Sequence, residues 1–256
     1  MTAIVDYGVG NLFSLSSSLK ALGLETIITR DADQLRAADR IILPGVGAFG
    51  DARAKLDDTG LVPVLLAESA RKPFLGICLG MQLLFDRSFE YGEHAGLGLV
   101  PGEVADLRGD LTDPALKVPH MGWNSLHIAK DDPLFKYFRD GEYVYYVHSF
   151  YARNCADSTL GTSQYGNVAV TGAVRRGNVW GTQFHPATRG CGCCGPLRSF
   201  EKGEPHADFS CNRPVRRAGG ASLSGRLRSD DRLRAGPLRR GAGLSCRRSN
   251  VSPCGG

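Results

Sequence analysis

The run Pro73-Phe74-Leu75-Gly76-Ile77-Cys78-Leu79-Gly80-Met81-Gln82-Leu83-Leu84-Phe85 constrains the fold of this chain more than any other. An apolar stretch leads into one cysteine, and a second apolar stretch leaves it. The first reads as a buried strand and the second as a helix. A residue held in a sharp strand-to-helix turn leaves little room for neighbouring Cβ atoms. Glycine on both sides, at Gly76 and Gly80, suits that geometry. Cys78 would then stand at the top of a sheet, with a helix N-terminus behind it favouring a thiolate. A buried structural cysteine is the plainer reading of one such motif. The rest of the chain decides between the two.

Ala3-Ile4-Val5, Glu25 to Thr29 and Arg40 to Leu43 read as further strands. Leu12, Leu15, Leu19 and Leu22 follow helical spacing, Asp31 to Ala37 is a short helix, and residues 51–70 are helical with breaks at Gly60 and Pro63. This alternation predicts an α/β fold: a doubly wound, mostly parallel central sheet with helices on both faces. Beyond about residue 96 strand patterns dominate, at Val100 to Leu107, Ser125 to Ile128, Tyr143 to Val147, Ala169 to Val174 and Asn178 to Phe184. Part of that region is expected to be antiparallel. Gly8-x-Gly10 after the first strand invites a dinucleotide reading, but Phe13 stands where the third glycine would fall, so that reading is set aside.

A cysteine nucleophile needs a base. Of the six histidines, His185 is the best placed. Trp180 to Phe184 reads as a strand that Pro186 stops, which puts His185 at a strand terminus. Open α/β sheets gather their sites at the carboxyl ends of the strands. An acyl-transfer site also needs donors for an oxyanion. The backbone N–H of Leu79 is one candidate. The loop Pro44-Gly45-Val46-Gly47 after a neighbouring strand is another, unless it is an ordinary tight loop. Gln82 lies one helical turn beyond Cys78, where it would bind a polar substrate end or cap local backbone.

Composition divides the chain in two. Its 256 residues suffice for one α/β domain with an appendage. Residues 1–186 hold 17 basic and 21 acidic side chains and only two cysteines, Cys78 and Cys155. Residues 187–256 hold 14 basic side chains, 13 of them arginine, against five acidic, with six cysteines and 12 glycines. No sustained periodicity runs through them, so they are expected to bury little and stay disordered. Cys191-x-x-Cys194 has metal-ligand spacing, but no second pair matches it. Arginine runs suit a nucleic-acid arm. The composition favours a third reading, a shift of reading frame in a GC-rich gene, which the coding DNA around Pro186 would decide. No apolar stretch reaches the length of a membrane span, and the N-terminus has no basic segment or cleavage signature. A cytoplasmic, reducing compartment is expected, with no nucleic-acid or membrane partner for residues 1–186.

Gly76-Ile77-Cys78-Leu79-Gly80-Met81-Gln82 and Gln183-Phe184-His185-Pro186 resemble the class I glutamine amidotransferases. More narrowly, four further segments resemble the glutaminase subunits of imidazole glycerol phosphate synthases, from histidine biosynthesis. These are Asp6 to Leu12, Leu43 to Gly50, Val118 to Asn124 and Tyr146 to Tyr151. The resemblance covers about residues 1–186. It implies a flavodoxin-like sheet, a Cys78 nucleophile, His185 as proton shuttle, and no metal or organic cofactor. It also implies a heterodimer with a cyclase subunit that receives ammonia. Asn11 and Trp123 would face that cyclase, Ser149 and Phe150 would line the glutamine site, and the peptide at Val46 would complete the oxyanion hole.

The same resemblance exposes a departure. The family continues His-Pro-Glu, and its glutamate orients the histidine ring; here that position is Ala187. Its closing segment is also unrecognisable after Pro186. Impaired glutaminase activity is the expectation. A non-catalytic cyclase-binding subunit, or another cysteine hydrolase on the same scaffold, are the rival readings.

Overall fold

Alternation along the strands sorts their side chains onto two faces of one sheet. Ala3, Val5, Ile41 and Leu43 go to one core; Ile4, Ile42, Leu75 and Ile77 go to the other. Runs buried on both faces need helices above and below, which is why these strands read as continuous apolar stretches.

The computed structural model describes residues 1–186 and 194–201. The chain opens with β1 (Thr2–Val5), α1 (Leu12–Ala21), β2 (Thr26–Thr29), α2 (Ala32–Ala37) and β3 (Arg40–Gly45). Helices α3 (Phe49–Asp58) and α4 (Val62–Ser69) lead to β4 (Phe74–Cys78) and the single turn α5 (Leu79–Gln82). Then come β5 (Arg87–Ser88), β6 (His94–Ala95), β7 (Glu103–Asp106) and α6 (Leu107–Asp110). Next are β8 (His120–Ser125), β9 (His127–Ile128), β10 (Tyr143–His148) and β11 (Phe150–Arg153). β12 (Thr159–Tyr165), β13 (Val168–Arg176) and β14 (Val179–Thr182) complete the strands, and α7 (Cys194–Glu201) follows.

The main sheet has the order β2-β1-β3-β4-β14-β13-β12-β9. Its first five strands are parallel and in flavodoxin-like order. β13, β12 and β9 add an antiparallel extension, as the sequence predicts. Leu35, Phe49, Leu56 and Leu65 from α2, α3 and α4 cover one face. Leu15 and Leu19 from α1, with Leu134 and Phe135, cover the other. Among the described residues, no helix is long and apolar enough to cross a membrane.

Register builds the site edge. Gly45 pairs with Cys78, and Thr182 pairs with Ile77, so three parallel strands end together. The Pro44 loop, the cysteine and the stretch reaching His185 therefore emerge side by side.

Helix α7 corrects one expectation. Residues 187–256 are expected to form no ordered structure, yet Cys194–Glu201 is helical. Leu197 and Phe200 are buried in the second core, and Phe200 meets Trp180 edge-on at 6.0 Å between ring centroids. Gly195 lets the helix approach the Tyr137 carbonyl, where a Cβ would lie 2.5 Å from the oxygen. Two apolar residues three apart are too short a signal to stand out. The sheet face they cover supplies the stabilisation. The other readings of the tail, including the pair at Cys191 and Cys194, fall outside the described residues or on side chains not described.

Candidate active site

Cys78 ends β4 with φ 56° and ψ −115°, a left-handed conformation that a side chain rarely adopts. The two glycines make that turn possible. A Cβ on Gly76 would lie 2.6 Å from the Gly80 carbonyl oxygen. A Cβ on Gly80 would overlap the Leu43 carbonyl oxygen outright. Gly45 is equally tight, its Cβ position 2.6 Å from the Gly80 nitrogen. Backbone thus packs directly on backbone around the cysteine.

The helix N-terminus that favours a thiolate is opposed here by burial. Burial pushes the Cys78 thiol up from 9.0 to about 11, and a hydrogen bond from the Leu79 N–H pulls back only in part. Helix α5 is one turn long, so its dipole is weak. Alkylation of Cys78 by iodoacetamide should therefore rise about tenfold per pH unit through pH 9. A plateau below pH 8 in that rate profile would show that the thiolate is already formed.

Cys78 and His185 line one pocket of about 320 Å³. Val46, Gly47, Leu79, Gln82, Ser149 and Phe150 share it, so every predicted substrate and oxyanion residue comes to the same place. Gly47 has φ 94°, the conformation its loop needs. Tyr7 donates to the Pro44 carbonyl at 2.7 Å and anchors the start of that loop. Gln183 lies beneath the nucleophile, its Nε2 3.9 Å from Cys78 Sγ. Gln82 donates to the Phe150 carbonyl and to Gln183 Oε1, both at 2.9 Å. Both acceptors are distant in sequence, so the Gln82 amide ties α5 to β11 and to the segment after β14 rather than capping local backbone.

His185 is half-buried, and burial lowers its pKa from 6.5. Its backbone N–H donates to the Tyr145 carbonyl of β10 at 3.1 Å. Among the described residues, none hydrogen-bonds the His185 ring. Ala187 lies outside the described residues.

Glu90 is the residue that sequence reasoning misses. It is the pocket's acidic side chain, with Oε2 accepting from the Phe49 N–H at 2.7 Å. Burial raises its pKa from 4.5. Its signal was slight, one carboxylate between Phe89 and Tyr91 ahead of Gly92.

A second cavity of about 330 Å³ lies behind a wall of Val46, Val147 and His185. Asn11, Pro44 and Tyr145 line its far side. Asn11 also caps α1, accepting from the Ser14 N–H at 3.2 Å. Trp123 stands edge-on to Tyr145 at 5.6 Å. Trp123 thus touches a tyrosine that lines the same cavity as Asn11.

A strained cysteine at the carboxyl edge of a flavodoxin-like sheet, sharing its pocket with a histidine, is the arrangement of a cysteine amidohydrolase. The chain belongs to the class-I glutamine amidotransferase family, whose model matches residues 3–190. Among curated proteins it is similar to the imidazole glycerol phosphate synthase subunit HisH of Lacticaseibacillus casei. The two are 48% identical over 203 residues, which is 79% of this chain and 95% of that one. The HisH of Lactiplantibacillus plantarum is 49% identical over 214 residues, 83% of this chain and all of its own. Among solved structures, one described as a glutamine amidotransferase has TM-score 0.59 at 18% identity, covering 78% of this chain and 97% of its own. PurLQS from Thermotoga maritima has TM-score 0.59 at 21% identity, covering 78% and 96%. At such identities the structures speak for the fold alone.

Proposed function

We propose that this chain is the glutaminase subunit of an imidazole glycerol phosphate synthase, hydrolysing glutamine and passing ammonia to a cyclase. The observation that carries this reading is the shared pocket of Cys78, His185 and the Ser149–Phe150 backbone at one sheet edge. His185 takes the Cys78 proton as sulfur adds to the side-chain amide carbon of glutamine. The oxyanion accepts from the Leu79 N–H and from a peptide N–H of the Val46–Gly47 loop, each such donor contributing about 10²–10³ in rate. The C–N bond breaks as His185 returns the proton to nitrogen, releasing ammonia. Water, deprotonated by His185, then cleaves the thioester to glutamate and restores the thiol. Glu90 is the charge complement for the substrate ammonium.

The cyclase docks on the outer face of the β8–β10 hairpin. Met121, Trp123, Tyr143 and Val147 are exposed there, while Val144, Tyr146 and His148 alternate inward. Trp123→Asp should raise the Kd for the cyclase at least about tenfold. An unchanged Kd removes the hairpin from the interface.

One observation favours the non-catalytic alternative: Ala187 stands where the family has the glutamate that orients the histidine ring. Glutaminase turnover, measured with the cyclase and its nucleotide substrate present, separates the two. Saturable labelling of Cys78 by a glutamine-like electrophile, together with measurable turnover, supports an enzyme. Docking without either would leave only a binding subunit.

A further inference from the structure

Ser149 and Phe150 wall the substrate pocket, and the Phe150 carbonyl is gripped from two sides. Gln82 Nε2 donates to it at 2.9 Å, and His148 Nδ1 lies 3.0 Å from it. A carbonyl oxygen only accepts, so the His148 proton is on Nδ1. His148 Nε2 then carries a lone pair, and it lies 3.1 Å from His120 Nδ1. His120 must also hold its proton on Nδ1 and donate it. At the far end, Asn124 Nδ2 donates to the Gln164 carbonyl at 2.9 Å, which fixes the amide's orientation. The same nitrogen faces His120 Nε2 at 3.4 Å. Every donor in the row Asn124–His120–His148–Phe150 points the same way.

The rings have no freedom to reverse it. His120 is 3% and His148 6% exposed. His120 is stacked between Tyr146 and Tyr165, with centroids at 4.7 and 4.1 Å. A second proton on His148 would set N–H against N–H between the two rings. Burial holds both neutral, at about 4 for His120 and about 3 for His148.

We propose that the His120–His148 row is a positioning device that fixes the Phe150 peptide and thereby sets the affinity of the pocket for glutamine. The proposal rests on reading that pocket as a glutamine site. Neither histidine needs to touch the reacting atoms. Each acts through a single carbonyl whose orientation decides where the neighbouring backbone groups point.

The test is the alkylation of Cys78 in the full chain by a chloroketone analogue of glutamine, with iodoacetamide as a reagent that needs no recognition. His148→Phe should raise the half-saturating chloroketone concentration by about 5–30-fold, the loss of one buried hydrogen bond, and move the limiting rate far less. His148→Asn places an amide donor where Nδ1 stands and should recover most of that loss. Equal half-saturation in the unchanged chain and in His148→Phe overturns the proposal. If the unchanged chain shows no saturation while iodoacetamide still labels Cys78, the glutamine-site reading fails first. Should His148→Phe not fold, ¹⁵N spectra of the unchanged chain decide. Both rings should carry the proton on Nδ1 at pH 7, and an Nε2–H tautomer in either ring overturns the row.

Discussion

Ala187→Glu should raise the cyclase-stimulated glutaminase turnover of this chain by about 10²–10⁴-fold. The expectation comes from the imidazole. Burial lowers the pKa of the His185 ring and so favours its neutral form, and among the described residues none accepts from the ring or donates to it. A neutral ring without a partner divides between two tautomers and rotates about its side-chain bonds. Only one tautomer presents a lone pair to the Cys78 thiol. A carboxylate selects that form and stabilises the imidazolium as the proton moves. In a serine hydrolase, losing this selection lowers turnover by about 10⁴. A thiol depends less on its base, hence the wider range. The thiol here is pushed up to about 11, so the base still matters. Because α7 already covers the sheet face, the single substitution is the first variant to assay. Equal turnover in the two chains, measured with the cyclase present, would mean that another group orients the ring.

Gly80→Ala should destabilise the fold by about 3 kcal/mol or more and abolish chloroketone labelling of Cys78. The added methyl would overlap the Leu43 carbonyl and come within 3.1 Å of the Pro44 carbonyl carbon. Both are backbone atoms in β3, so no side-chain rotation relieves the clash. Either β3 moves, which disturbs the Val46–Gly47 loop, or α5 moves, which takes Cys78 with it. Gly47→Ala is the informative contrast. Nothing lies within 4 Å of its Cβ position, so its cost is confined to φ 94°. Urea midpoints for the two variants should differ clearly. Similar midpoints would defeat the packing argument.

The parallel half of the fold was legible because its strands are buried on both faces. Such strands are short apolar runs, and glycine or proline punctuates them. The break between α3 and α4 falls at Gly60 as predicted, whereas Pro63 lies within the first turn of α4 rather than breaking it. The β-rich half was harder. β12 is rich in threonine, serine and glycine, yet four of its first five residues are buried. β8 contains Gly122 at φ 131° and, among the described residues, pairs only with β10. Neither carries the period that marks a half-buried strand. Cys78 and His185 stood out through local chemistry, since a strained turn and a strand terminus each leave a mark in sequence. The ionisation of Cys78 did not, because burial depends on every element packed around it. Glu90 and the orientation of His148 escaped for the same reason. Their roles come from neighbours 41 residues away at Phe49 and 28 residues away at His120.

The hydrogen bond from the His185 backbone to the Tyr145 carbonyl ties the proposed general base to β10 of the β8–β10 pair. On the proposed reading, a single hydrogen bond joins the docking surface to the reaction centre. Substitutions that tailor β10 to a different subunit will therefore also be felt as changes in turnover, and the two properties must evolve in step.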